Sequence, residues 1–411
     1  MPASNMPADS SHTVAHSKDF FMKLCAIIAE YNPLHNGHLK LIEYAKANSG
    51  CDKLLVIMSG NFTQRGENAV MDKFKRATHA VKAGADVVVE LPTVFATANA
   101  EIFASGALKI LTDLNCVDKL AFGVESGTLE DYEKTAKALL NESKLLKQLI
   151  SEELETGVSH AKARFNAVKK ANLPDIKEEI IATPNNILAL EYMKAKIKYN
   201  SSIEFLPFKR EGDHNSTVLL KGMTSATSIR ESLKVKKTGK LKGVMPTFVF
   251  EDLPKTPYDF SQILMASLYK TDAKTLSEVL DCSEGLENRI KALIKDNLEY
   301  DVALEKIATK RYTYARIKRI IVGNLLGINK KQVIKALDSE LYCKILAVNK
   351  DAKDLVSNLC THSSIPVLTR KKDYAEVKKF AKEVLAIDEL ACELYSLITK
   401  EKQNEYQMLL V

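Results

Sequence analysis

Short, unbroken apolar runs alternate with amphipathic stretches through the first half of the chain. Lys23–Tyr31 (KLCAIIAEY), Lys53–Met58 (KLLVIM), Asp86–Leu91 (DVVVEL) and Val117–Val124 (VDKLAFGV) lack strict polar–apolar alternation, which marks strands buried on both faces. Between them, Leu39–Ala47, Asp72–Ala83 and Ala98–Leu114 repeat their apolar positions at helical spacing. Strands separated by helices predict a parallel sheet, and right-handed crossovers place helices on both of its faces. The expected fold class is α/β, a doubly wound, Rossmann-like parallel sheet.

Thr128–Ala171 reads as charged helices, Asn186–Tyr199 as another helix, Ile203–Phe208 as a strand and Thr227–Leu233 as a helix start. Around Lys234–Pro246 the composition turns to Lys, Gly and Pro, a boundary signal. The pattern beyond it is mainly helical, with two short apolar runs (Leu341–Val348 and Ile365–Thr369) expected to form a small strand pair. The expected organisation is a domain over 22–245 and a mainly helical one over 246–411. Met1–Phe21 is polar and has no secretory core; it reads as a disordered extension or tag remnant.

Composition narrows the class. A chain of 411 residues that is 46% hydrophobic and 27% charged is globular and has more than one ordinary core. No apolar run approaches the roughly 18 residues that span a bilayer, which excludes a transmembrane enzyme. The seven cysteines are scattered singly without a C-x-x-C pair, as expected of reduced thiols in a cytoplasmic protein, not of a zinc site. A formal charge of +7 permits an acidic partner without requiring one. Its distribution says more. Between Lys306 and Lys350 eleven basic residues face two acidic ones, Asp338 and Glu340, so this segment exceeds the charge of the whole chain. Within it, KRYTYARIKR interleaves Tyr312 and Tyr314 with Lys310, Arg311, Arg316 and Arg319. Arginine forks suit phosphates and tyrosines stack on unpaired bases. A solvated helix face explains the same charges, and Ile317, Ile320, Ile321, Leu325 and Leu326 form its buried stripe.

The chemistry concentrates in Glu30-Tyr31-Asn32-Pro33-Leu34-His35-Asn36-Gly37-His38, where the first strand hands over to the first helix. In an open α/β sheet ligands bind outside the carboxyl ends of the strands, and a helix starting there offers N–H groups and partial positive charge to a phosphate. Gly37 admits close backbone approach. His35 and His38 can donate hydrogen bonds to charge developing on a phosphate chain, or they make only local loop contacts. Ser59–Glu67 follows the second strand, and its Asn61, Gln64 and Arg65 are positioned to meet a substrate, Arg65 also an RNA; a solvated loop is the alternative. Lys73 and Arg76 on the following helix read as a solvated face.

HNGH is similar to the H-x-G-H signature of the nucleotidyltransferase superfamily, which includes adenylyltransferases and class I aminoacyl-tRNA synthetases. With EYNPLHNGH, MSGNFTQRGENA, DVVVELP and AEIFASGA, the chain resembles tRNA(Met) cytidine acetate ligases from about Met22 into the C-terminal region. The resemblance implies activation of acetate by ATP as acetyl-adenylate with loss of pyrophosphate. The acetyl group then passes to N4 of the wobble cytidine of elongator tRNA(Met), and AMP leaves. It assigns ATP binding to Ile28, Ala29, Glu30, Tyr31, Asn32, Pro33, Leu34, His35, Asn36, Gly37, His38, Leu39, Lys40 and Leu41, with His35 and His38 catalytic beside the phosphates. It adds Gly123, Asn186, Arg210 and Glu211. Ser225, Thr227 and Arg230 in SATSIR resemble a second phosphate motif. Mg²⁺ is expected with the triphosphate, and no carboxylate cluster marks a metal site on the protein.

Each further position keeps a plainer reading: Gly123 as a strand-end turn, Asn186 as a helix cap, Arg210 as a surface ion-pair partner. Two other functions share these motifs. One is an adenylyltransferase acting on a small phosphorylated metabolite, which leaves the basic helical region unexplained; the other is a non-catalytic RNA-binding protein.

Overall fold

The computed structural model describes residues 22–209, 225–236 and 238–411. Strands β1 (Leu24–Ala29), β2 (Lys53–Ser59) and β3 (Val87–Leu91) run parallel, joined by helices α1 (Asn36–Asn48) and α2 (Lys73–Lys82). The chain then crosses to the other side of β1, where β4 (Lys119–Val124) pairs with β1 and β5 (Glu204–Lys209) with β4, again in parallel. Strand order therefore reverses between β1 and β4, the crevice where a doubly wound sheet binds ligands. The apolar runs account for this. Alternate residues feed two hydrophobic layers, Leu55, Ile57 and Val87 on one face and Leu54, Val56 and Val88 on the other.

The C-terminal segment completes the same sheet. Strand β6 (Cys343–Val348) lies antiparallel against β3, and β7 (Val367–Leu368) and β8 (Leu409–Leu410) pair with β6. The strand pair expected near the end of the chain thus extends the N-terminal sheet, and β6 covers what is otherwise an apolar edge. Its register has a visible cause. Glu90 sits opposite Lys344, and a slip by one residue separates these charges.

Both belong to a buried ion-pair network. Lys73, Glu90 and Lys344 are each 1% exposed. The Lys73 Nζ lies 2.8 Å from Glu90 and 2.7 Å from Glu405, and the Lys344 Nζ lies 2.9 Å from Glu90 and also pairs with Glu405. Beside it, Asp388 accepts hydrogen bonds from the Tyr342 hydroxyl at 2.5 Å and the Thr93 amide at 2.7 Å. Burial, with Glu90 adding to it, pushes Asp388 up to about 7.

These contacts correct the expectation that Lys73 and Arg76 occupy a solvated face. Arg76 is fully buried. Its Nη1 donates to the carbonyls of Glu30 at 2.7 Å and Ser59 at 3.0 Å, its Nε to that of Met71 at 2.9 Å, and its Nη2 to that of Gly60. It ties together the carboxyl ends of β1 and β2, where backbone carbonyls run out of sheet partners. Lys344 leaves the expected basic footprint for the same reason: its charge is spent inside the sheet.

All seven cysteines are free, with Cys25, Cys282, Cys343 and Cys392 buried and Cys360 exposed. Among the described residues no helix is long and apolar enough to cross a membrane.

Candidate active site

Beyond β1 the backbone turns sharply, with Tyr31 at φ 47° and a cis Asn32–Pro33 bond, and His35 becomes the N-cap of α1. A histidine is an unusual cap, and its geometry fixes its tautomer. The His35 Nδ1 accepts from the Gly37 amide at 3.0 Å, and the His38 Nδ1 accepts from the His35 amide at 3.3 Å. In the neutral rings both protons therefore sit on Nε2, which leaves Nε2–H as the donor of each ring. The two imidazoles stack at 3.8 Å, and Tyr31 packs edge-on against His38 at 5.0 Å. Gly37 is required by this stack, since a Cβ there comes within 2.9 Å of the His35 Cε1.

The helix start departs from the expectation in one respect. Its first amides are already engaged: Asn36 N–H with the Val244 carbonyl at 3.0 Å, Gly37 N–H with the His35 ring, and His38 N–H with the His35 carbonyl at 2.8 Å. What α1 brings to a phosphate is its dipole and the imidazoles of His35 and His38 on the cleft wall, not a row of open amides.

A cleft of about 560 Å³ opens at the β1–β4 crevice, a volume suited to a nucleotide-sized ligand. Ile28, Ala29, Glu30, Tyr31 and Asn32 form one wall, with His35, His38 and Leu41 continuing it along α1. Gly123 lies opposite, at the end of β4, and Ser225, Thr227 and Arg230 close a third side with Arg65 and Gln64. Ser225 caps helix Ala226–Lys234 by accepting from the Ser228 amide at 3.2 Å. Arg230 reaches back to the turn after β1, its Nη1 donating to the Asn32 carbonyl at 3.0 Å and its Nη2 to the Thr227 hydroxyl at 3.4 Å.

The other assigned positions stand behind this surface. Pro33 and Leu34 are buried in the turn, Asn36 donates to the Gly243 carbonyl at 3.2 Å, Leu39 is half-buried, and Lys40 is exposed. Gly37 acts through His35. Asn186 is fully buried and spends its amide on the loop after β4, accepting from Glu125 N–H at 2.8 Å and donating to the Ser126 hydroxyl at 2.8 Å and the Glu179 carbonyl at 2.9 Å. The cleft residue here is its neighbour Asn185, which donates to Glu125 at 2.6 Å. Arg210 and Glu211 lie outside the described residues.

The loop between β2 and α2 links the cleft to the basic C-terminal helix Tyr314–Leu325. Glu67 contacts both, at 2.6 Å from the Lys318 Nζ and 3.6 Å from the Arg230 Nε. Gly66 packs backbone to backbone on that helix: at φ 69°, its absent Cβ would overlap the backbone of Lys318 and lie 2.8 Å from the Arg319 Cα. Alanine at Gly66 combines a left-handed backbone cost with overpacking, together about 2–4 kcal/mol. A urea midpoint equal to that of the parent chain would contradict this packing.

Two of the arginines expected to meet RNA, Arg316 and Arg319, lie on this helix and Arg311 lies just before it, and all three are held by the 281–284 turn. Arg319 grips Asp281 at 2.9 Å, Arg316 donates to the Asp281 carbonyl at 2.9 Å and the Ser283 hydroxyl at 2.9 Å, and Arg311 pairs with Glu284 at 3.1 Å. Three arginines of the basic run are thus paired with two acids of the 281–284 turn, Asp281 and Glu284. Lys310 and Arg65 are exposed, and Tyr314 is 50% exposed.

Comparison with known proteins gives a consistent result. The family model for HIGH nucleotidyl transferases matches residues 22–408. A tRNA(Met) cytidine acetate ligase of Thermoanaerobacter sp. (strain X514) is 39% identical over 89% of this chain and 94% of its own length. One from Acetivibrio thermocellus is 37% identical over 92% and 96%. Crystal structures of Thermotoga maritima TmcAL, 29% identical, cover 95% of this chain and 100% of theirs, with TM-scores of 0.87 for the apo form and 0.86 for the form bound with alpha-thio ATP.

Proposed function

Because this chain belongs to the tRNA(Met) cytidine acetate ligase family of HIGH nucleotidyltransferases, we propose that it uses ATP to acetylate N4 of the wobble cytidine of elongator tRNA(Met). The observation that carries the reading is the stacked His35–His38 pair at the start of α1, on the wall of a nucleotide-sized cleft at the β1–β4 crevice. ATP lies across this crevice with its phosphates toward the imidazoles. Mg²⁺ enters as the counter-ion of the triphosphate, as part of the substrate.

An acetate oxygen attacks the α-phosphorus and pyrophosphate departs. The Nε2–H groups of His35 and His38 stabilise the charge that builds on the leaving phosphates, and Arg230, Thr227 and Ser225 hold their far end. Acetate supplies almost no binding energy of its own, so in-line placement by the cleft does most of the work. The cytidine amine then attacks the acetyl carbon and AMP leaves. The tRNA approaches over the loop that carries Arg65, with Lys310 and Tyr314 nearby, in the cytoplasm where all three substrates meet.

Acetate-dependent exchange of labelled pyrophosphate into ATP tests the first step without tRNA. Exchange that requires acetate supports the reading. Exchange that ignores acetate and requires a phosphorylated metabolite would replace it with a metabolite adenylyltransferase.

A further inference from the structure

Attack of acetate on ATP moves no proton, because the nucleophile is already a carboxylate. The second step does. When cytidine N4–H₂ adds to the acetyl carbon, the nitrogen must lose one proton for N4-acetylcytidine and AMP to form, and taking that proton as the N–C bond forms keeps positive charge from building on the nitrogen. A group in the cleft that accepts this proton takes part in the second step, whatever it also contributes to holding ATP in the first, so its loss is read in the ratio of the two activities.

Among the described residues two carboxylates line the cleft, Glu30 and Glu125. Glu125 stands on the β4 side and is held by Asn185 at 2.6 Å. Glu30 stands at the end of β1, on the wall that runs on into His35 and His38, where the phosphoryl–acetyl bond forms. Its position is fixed at both ends: the Arg76 Nη1 holds its carbonyl at 2.7 Å, and the Gln64 amide donates to its Oε1 at 2.7 Å. Gln64 and the adjoining Arg65 line the same cleft and belong to the loop over which, in the reading above, the tRNA approaches, so Glu30 is tied to the side from which the base would enter.

We propose that Glu30 is the general base of the acyl-transfer step, taking the proton from cytidine N4 as the N–C bond forms and AMP departs. The proposal rests on the acetate ligase reading above. No electrons are transferred, and the proton passes from Glu30 to solvent after AMP leaves. The surroundings suit the task. Burial raises the Glu30 carboxyl above its ordinary range, against the Gln64 hydrogen bond and the charges of Arg230, Arg65 and Arg76, so it is a stronger base than a solvated carboxylate.

The test compares two activities of the full-length chain and its Glu30→Gln variant: acetate-dependent ATP–pyrophosphate exchange, and single-turnover acetyl transfer to tRNA across pH 5 to 9. Glutamine keeps an acceptor for the Gln64 amide. The ratio of transfer to exchange is expected to fall by about 10²–10⁴-fold. The parent chain's transfer rate rises with pH on its acid side, and the variant loses that limb. Glu30→Asp, which retains a carboxylate, restores part of the transfer. Equal loss of exchange and transfer in Glu30→Gln, or transfer with the parental pH profile, would overturn the base assignment while leaving the ligase reading standing. A parent chain that exchanges pyrophosphate but never acetylates tRNA would overturn the ligase reading, and this proposal with it.

Discussion

Alanine at His38 is expected to lower acetate-dependent ATP–pyrophosphate exchange by about 10²–10³-fold, the usual effect of losing one donor to developing transition-state charge. The local structure makes the result interpretable. The His38 Nδ1 also accepts the His35 amide and completes the α1 capping box, so His38→Ala removes a cap as well as a donor, costing about 1 kcal/mol of stability. His38→Asn separates the two effects. Asparagine is short but restores an acceptor at the cap, so it recovers the stability and leaves exchange depressed. Steady-state kinetics with urea titration of both variants checks this. Recovery of exchange by asparagine would mean that the imidazole matters only as a cap.

The largest effect on stability is expected at Lys73. Its ammonium is 1% exposed and lies between Glu90 and Glu405, so Lys73→Met leaves buried carboxylates facing only Lys344. Breaking a buried pair in this way costs about 3–5 kcal/mol, enough to lower the urea midpoint severely. Glu405→Gln in the same chain removes the excess charge and is expected to return part of the loss. The acid limb of stability shifts too. Burial acts against ionisation of Glu90, but Lys344 and Lys73 outweigh it and hold its carboxyl below the ordinary range. Such a group stabilises the fold above its unfolded pKa, and that contribution is lost as pH falls through the lower folded value. The parent chain therefore loses stability on acidification from this source, and Lys73→Met loses less. A cost under about 1 kcal/mol, with the same acid limb as the parent, would contradict the network.

The parallel sheet, its crossovers and the place of the H-x-G-H segment were legible because they rest on local signals: apolar runs of strand length, helical periodicity and a glycine between two histidines. Residues whose role depends on distant partners were not. Arg76 and Lys73 look like solvated charges on an amphipathic helix. Only the fold brings carbonyls from the ends of β1 and β2 to one, and Glu90 and Glu405 to the other. The spacing 73, 76, 80 does place both charges on the stripe of buried Ala80, a faint warning in the sequence. In the basic segment the sequence counts charge but not pairing, so Asp281 and Glu284, some thirty residues upstream, cancel arginines that read as an RNA footprint. Asn185 and Asn186 differ only in which of two adjacent helix positions turns toward the cleft. Residue type cannot separate them, and the hydrogen bonds of Asn186 do.

Acetate ligase activity leaves its mark on the tRNA itself. The chain is incubated with ATP, Mg²⁺, labelled acetate and total tRNA, with ATP and acetate omitted in turn, and the tRNA is digested to nucleosides for mass analysis. N4-acetylcytidine is expected in the complete mixture alone, at the wobble position of elongator tRNA(Met). A folded, ATP-binding chain that leaves cytidine unmodified in the complete mixture would contradict the acetate ligase reading.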